Sequence, residues 1–355
     1  IGAQQHVDYA DSAGNFEFKN IGFSSQLDYI LHFEMTDGKS FNFVDGEKFN
    51  SALSINREAY GEVISSKYLN LPLDNTKSIN HFSINLGDQL SYDYGKSYLI
   101  TKGFESQMKI INFYSKVLNE RPPLINIFLF GDDGAWYQST KWNPSTNKVM
   151  SEYWQPRINI ESTPRDFMST FGMEYTHYVQ DYAYQKMNGY DTKPVEGNHH
   201  GFNNPSTADS WVEGVGTFMP AVIADWENLS SKGKFNGNDL ESNQYKPNSI
   251  FKKSPSYWLD EEYSIATLLW DMYDSKNEQG DNTSMRINQV WKLIKGFDSF
   301  QQHNPSDYFG DKRHIKYFKD FYDYLYDESN ISRNNIDDLF ILHGIPDGWS
   351  AVGRP

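Results

Sequence analysis

Glu174 and His177 stand three residues apart in the stretch Gly172-Met173-Glu174-Tyr175-Thr176-His177-Tyr178-Val179-Gln180-Asp181. On a helix that spacing puts an imidazole and a carboxylate on one side. The imidazole can hold a metal ion, and the carboxylate can take a proton from water bound to it. A second imidazole one turn before His177 would complete the pair of ligands that such a helix presents. That position holds Met173, whose soft thioether is a poor partner for Zn²⁺. Asp181, one turn beyond His177, is placed to accept the other ring N–H, as carboxylates do for ligating histidines. The chemistry of this segment therefore turns on one side chain.

The elements that must position these residues are legible in outline. Residues 1 to about 95 alternate short apolar runs with Asp-Gly and Gly-Glu turns, as in Phe16-Glu17-Phe18, Phe41-Asn42-Phe43-Val44 and Phe82-Ser83-Ile84. They predict a β-rich, antiparallel N-terminal domain. From residue 96 the pattern changes, and a second domain runs to 355, with a sheet part over 96–160 and a helical part over 161–355. Phe104, Met108, Ile111, Tyr114 and Leu118 recur at helical spacing until Arg121-Pro122-Pro123 ends the helix. Leu124 to Phe130 is a strand, Trp136 to Trp154 a hairpin about Asn143-Pro144-Ser145-Thr146-Asn147, and Arg157 to Ile160 a further strand. Ser162-Thr163-Pro164-Arg165-Asp166 then supplies N-cap chemistry for the helix that carries Glu174 and His177. Helices follow at Trp211–Val222, Leu259–Tyr273, from Ile287, Ile315–Leu325 and Ile336–His343, with a polar loop over 228–256. The fold class is α+β.

Composition narrows the field. The net charge is −15 with a pI near 5.0, which disfavours nucleic acid and anionic membrane surfaces as partners. No apolar run reaches the ~20 residues of a spanning helix. The absence of cysteine excludes disulfides and Cys-based zinc sites. Sequons at Asn228, Asn282 and Asn330 fit a secreted or cell-surface location.

With the helix in place, the chain resembles the gluzincins, zinc peptidases that take a Glu from a second helix as third ligand, on the thermolysin and fungalysin side of that group. The resemblance spans roughly residues 100–345. It is carried by Met-Glu-Tyr-Thr-His at 173–177, Trp-Val-Glu-Gly-Val-Gly at 211–216 and Leu-Trp-Asp-Met-Tyr-Asp at 269–274. It implies a zincin-like domain with a mixed sheet, an edge strand and an active-site helix, acting on peptide or protein substrates. It makes Glu174 the general base, His177 a ligand and Glu213 the third ligand, with Met173 in the degenerate ligand position. A second departure is Thr217, where thermolysin-like enzymes place a ligand-orienting Asp. With His177 and Glu213 alone, zinc is expected to bind weakly or not at all.

Each residue also has a plainer reading. Glu174 would be a helix-surface carboxylate, His177 a packed polar group and Met173 a core filler. Glu213 would be a first-turn acid favoured by the helix dipole. Compensation for Met173 is sought in His199-His200, in the Gly/Asn loop between the two helices. Tyr263 and His314 are candidates to donate a hydrogen bond in the transition state, and the oxygen-rich loop Asp274–Asn282 is a candidate Ca²⁺ site. Three functional classes follow. The first is a zinc peptidase inactivated at position 173. The second is a non-catalytic extracellular or cell-surface protein on a peptidase scaffold. The third is a carbohydrate-active protein using Glu261 and Glu262, which point apart on a helix.

Overall fold

The computed structural model describes residues 30–31, 34–45, 63–65, 69–70, 90, 92–131, 134–143, 145–146, 148–150, 155–187, 207–241, 261–275, 282–303 and 314–343. In chain order the strands are β1 (Ile30–Leu31), β2 (Phe41–Asp45), β3 (Leu69–Asn70), β4 (Ile125–Gly131), β5 (Trp136–Gln138), β6 (Trp142–Asn143), β7 (Lys148–Val149), β8 (Arg157–Glu161), β9 (Lys234–Phe235) and β10 (Asn238–Asp239). The helices are α1 (Tyr94–Lys116), α2 (Phe167–Met187), α3 (Thr207–Trp226), α4 (Glu261–Tyr273), α5 (Ile287–His303), α6 (His314–Glu328) and α7 (Arg333–Leu342). The protein is α+β, with small sheets followed by helices. No described helix is long and apolar enough to cross a membrane.

Four strands form the principal sheet in the order β2-β4-β8-β5. β2 pairs in parallel with β4, Phe43 opposite Ile127, and β4 in parallel with β8, Ile127 opposite Ile158. β5 closes one edge antiparallel to β8, Tyr137 opposite Ile158. The alternation Phe41, Phe43 and Ile125, Ile127, Leu129 turns one apolar face toward α1 and α2, where Phe41 and Phe43 meet Phe104 and Phe43 meets Phe171. β2 lies in the stretch expected to form a separate N-terminal domain. Its five residues pair in parallel with β4 in the principal sheet, and Phe41 and Phe43 belong to the same core as Ile125, Ile127 and Ile158.

The expected hairpin over 136–154 is split. β6 and β7 pair around the Asn143 turn, while β5 returns to β8. Asn159 directs that return, donating from Nδ2 to the Gly134 carbonyl at 2.7 Å. Its amide fills the space a Cβ at Gly131 would need.

α1 starts at Asp93, whose Oδ1 accepts from Lys96 N at 2.9 Å, and ends before Asn119 in the left-handed region, φ 56°. It is longer than the amphipathic stretch visible in the sequence. Within the stretch expected to be a polar loop, Asn236 and Gly237 have φ of 48° and 83° and close the β9–β10 hairpin, as an Asn-Gly turn does.

Behind the sheet the core is aromatic. Tyr114, Tyr175 and Tyr178 lie edge to face or tilted against one another, and Tyr137 joins Tyr178 from β5. Burial, first of all, pushes the phenols of Tyr114, Tyr137, Tyr175 and Tyr178 upward, and for Tyr137 the adjacent Asp181 carboxylate adds to it. An acid whose folded pKa is raised is more protonated in the folded than in the unfolded chain at high pH. Its contribution is therefore intact below the unfolded value near 10 and is lost as pH rises above it. Alkaline unfolding is expected to set in above pH ~10. In an ultraviolet titration these four phenols should ionise only together with loss of near-UV circular dichroism. Their free ionisation in folded protein would refute that burial.

The last helix is held by a buried polar cluster. His343 Nε2 lies 2.9 Å from Asp271 Oδ2, and Nδ1 lies 3.5 Å from Thr267 Oγ1. The order Thr, His, Asp matches a nucleophilic triad, but His343 and Thr267 are 0 % exposed and Asp271 1 %. Closed off from solvent, they tie the end of α7 to α4.

Candidate metal position between two helices

α2 is buried around almost its whole circumference, as a central core helix is. Asp166 caps it, Oδ1 accepting from Ser169 N at 2.6 Å. Thr176 Oγ1 donates back to the Gly172 carbonyl at 2.6 Å and shares a 2.7 Å hydrogen bond with Tyr114 of α1. Tyr178 donates to the Pro123 carbonyl at 2.7 Å. Farther along, Tyr137 OH and Gln185 Nε2 each donate to Asp181, to Oδ2 and Oδ1 respectively, at 2.8 Å. Gln185 Nε2 also reaches the Thr140 carbonyl at 2.7 Å. Asp181 thus fastens α2 to the edge strand β5. Sequence spacing alone offered it His177 as a partner. Gln185, four residues on along the same helix, was within reach by spacing as well; Tyr137 was not visible there, because its approach depends on the non-local β5–β8 pairing.

α3 crosses α2 at glycines. A Cβ on Gly172 would lie 3.0 Å from the Pro220 ring, and one on Gly216 would lie 2.6 Å from His177 Cε1 and 3.2 Å from Met173 Cγ. Met173 and His177 therefore border the same spot on α3, as residues one turn apart on one helix face must. Across that spot His177 Nε2 stands 3.4 Å from Glu213 Oε1. This is long for an N–H···O hydrogen bond. It matches the separation, roughly 3.3 Å, of two tetrahedral ligands each about 2.05 Å from one ion. His177 is 8 % exposed and Glu213 3 %; Met173 is half-buried.

Glu213 lies in the second turn of α3, since that helix begins at Thr207. The plainer reading of it as a first-turn acid is corrected: the helix extends upstream of the start expected at Trp211. Glu174 follows Met173 on α2 and is buried rather than a surface carboxylate. Thr217 is buried one turn after Glu213. Tyr263 accepts from Asn238 Nδ2 at 2.8 Å, and His314 opens α6. His199 and His200 lie outside the described residues, as does most of the candidate Ca²⁺ loop, 276–281.

One residue that sequence reasoning missed binds both helices together. Asp298 of α5 accepts from Gln180 Nε2 and from Trp211 Nε1, both at 2.9 Å. Gln180 is three residues after His177 and Trp211 two before Glu213. Asp298 falls on the buried stripe of α5, four residues after Ile294 and seven after Trp291, but its charge reads as solvent-facing in the sequence.

The donors that converge are thus an imidazole and a carboxylate, with the Met173 side chain bordering the same spot. Among the described residues no group of three or more His, Cys, Asp or Glu side chains is placed to hold a metal ion. Two donors at ligand spacing, with a methionine where a third ligand would stand, do not fit the donor set of a catalytic Zn²⁺ site. Comparison with known proteins gives no family model that matches the chain and no curated protein that matches it.

Proposed function

We propose that this chain is a gluzincin-type peptidase scaffold that has lost its zinc position to Met173 and engages peptide chains without hydrolysing them. One observation supports the reading above the rest. Met173 and His177 of α2 both border Gly216 of α3, and His177 stands 3.4 Å from Glu213, from which it is remote in sequence. The surroundings agree with it: a mixed sheet ends in an antiparallel edge strand, β5, and Tyr137 of that strand is bonded to Asp181, one turn beyond His177.

Because the donor set does not fit Zn²⁺, no hydrolytic step is derived through it. Glu174 and His177 remain as buried groups of the core, and the peptide-binding part of the scaffold is what persists. The outer edge of β5 pairs with no strand among the described residues. An extended peptide can add there through main-chain hydrogen bonds. A net charge of −15 favours neutral or basic peptides over acidic ones and over nucleic acid. The sequons fit a secreted or cell-surface setting, in which an assembly role at the surface is the companion reading.

Metal analysis of protein purified with zinc present is the direct test, paired with cleavage of an unfolded, fluorescently labelled protein. Zinc well below one equivalent per chain is expected, with cleavage no greater than that of Glu174→Gln. One tightly held zinc together with cleavage abolished by Glu174→Gln would overturn the reading.

A further inference from the structure

We propose that Asn236 is a site of spontaneous self-modification, at which the Gly237 nitrogen closes a succinimide on the Asn236 side chain and the chain passes to isoaspartate or aspartate. The inference needs neither a metal nor a peptidase ancestry. It rests on the tip of the β9–β10 hairpin.

Access comes first. Asn236 and Gly237 are both exposed, and a Cβ built on Gly237 would meet nothing within 4 Å. The residue after an asparagine governs how closely its backbone nitrogen approaches the side-chain carbonyl carbon. Glycine, with no Cβ, hinders that approach least. The peptide joining Asn236 to Gly237 takes no part in the ladder, which pairs Phe235 with Asn238 and Lys234 with Asp239.

Mobility comes next. Ring closure turns that peptide out of its left-handed geometry, φ 48° and 83°, so the tip has to open. Two strands of two residues each make a ladder that is marginal by itself, and such an element opens without global unfolding. Its legs stay anchored meanwhile, Phe235 in the core and Asn238 Nδ2 on Tyr263 OH at 2.8 Å.

The chemistry balances with water alone. A base in the solvent takes the Gly237 N–H proton, and the nitrogen attacks Cγ of Asn236. The Cγ–Nδ2 bond breaks, and ammonia leaves with a proton from water. Water then opens the ring. Attack at Cγ restores the ordinary backbone with an aspartate side chain. Attack at the backbone carbonyl carbon leaves isoaspartate, the chain now running through Cγ. The sum is amide plus water to carboxylic acid plus ammonia.

The product matters for the fold. Each event adds a negative charge to a chain already at −15. Isoaspartate also lengthens the turn by one backbone atom, so the two-residue loop no longer matches its strands. The Asn236 N–H donates to Ser169 Oγ at 3.0 Å and ties the tip to the first turn of α2, the helix that carries Glu174 and His177. That tie is what the modification loosens.

The test is ageing of folded protein in mildly alkaline buffer, beside the same protein unfolded in urea, with mass-spectrometric mapping of the tryptic peptide 235–246. In the folded protein Asn236 should gain about one dalton and appear as isoaspartate together with aspartate, while anion exchange resolves a more acidic species. In urea the conversion should be about tenfold faster, because the opening step is removed. Asn236→Gly keeps a residue suited to the left-handed turn and removes the amide, so position 236 should stay unchanged in mass. The proposal is overturned if folded wild type keeps the Asn236 amide throughout, or if the product is aspartate without isoaspartate, which would mean direct hydrolysis. Neither result bears on the scaffold reading, which the zinc response of Met173→His tests separately.

Discussion

Met173→His is expected to take up one zinc ion per chain and to melt at a higher temperature when zinc is present. The new imidazole would start from the position that borders Gly216 beside His177. Together with Glu213 Oε1, 3.4 Å from His177 Nε2, it would complete two imidazoles and a carboxylate, with one coordination position open. Zinc at a thousand times its dissociation constant stabilises the folded form by about 4 kcal/mol. For a cooperative unit of this size, roughly 1–2 °C per kcal/mol, the melting temperature should rise by about 5 °C. Addition of a chelator should reverse the shift. Peptide hydrolysis is not needed for the result, and Thr217 in place of an acidic neighbour argues for modest activity at most. A variant that folds but shows no zinc-dependent shift would remove the basis for reading α2 and α3 as a former metal-binding pair.

The features behind this expectation were unevenly visible in the sequence. Met173, His177 and Asp181 fall on one helix face by spacing alone, and Asp166 marks where that helix begins. The strands at 125–131 and 157–161 announce themselves by apolar runs bounded by turns. Partner choice is another matter. β2 pairs in parallel with β4 across about 80 residues, and no local pattern specifies a partner so distant. Period-two alternation gives a strand its buried face, not its neighbour. The same limit turned β5 from an expected hairpin arm into the sheet edge, since the Asn159 amide that fixes the turn at Gly134 is remote in sequence. The β9–β10 hairpin was legible in principle from Asn236-Gly237, but the polar residues around it mask the signal. At the site, the sequence supplied Glu213 only by resemblance. Its meeting with His177 depends on Gly172 and Gly216, whose lack of a side chain lets α3 approach.

Asp298→Ala is expected to cost about 3–4 kcal/mol of stability, as each buried donor left without its acceptor costs roughly 1–3 kcal/mol. Asp298 is 2 % exposed, and Gln180 and Trp211 are each 1 % exposed, so water does not take its place. Its two oxygens accept from Gln180 Nε2 and Trp211 Nε1, a role an alanine methyl cannot fill. Asp298→Asn keeps one oxygen and turns an amide N–H against a donor, so about half the loss is expected, ~2 kcal/mol. Urea denaturation of the two variants beside wild type measures both. The substitution also reaches the site, because Gln180 and Trp211 lie within one turn of His177 and Glu213 on their helices. With that tie cut, α2 and α3 are held at this end by apolar packing, which tolerates sliding that a pair of hydrogen bonds does not. In a Met173→His background, Asp298→Asn should therefore lower zinc affinity about tenfold, which is 1.4 kcal/mol, although Asp298 touches none of the ligands. An unchanged affinity in a variant that has lost its ~2 kcal/mol of stability would confine Asp298 to the core. Equal stability of Asp298→Ala and wild type would refute the network itself.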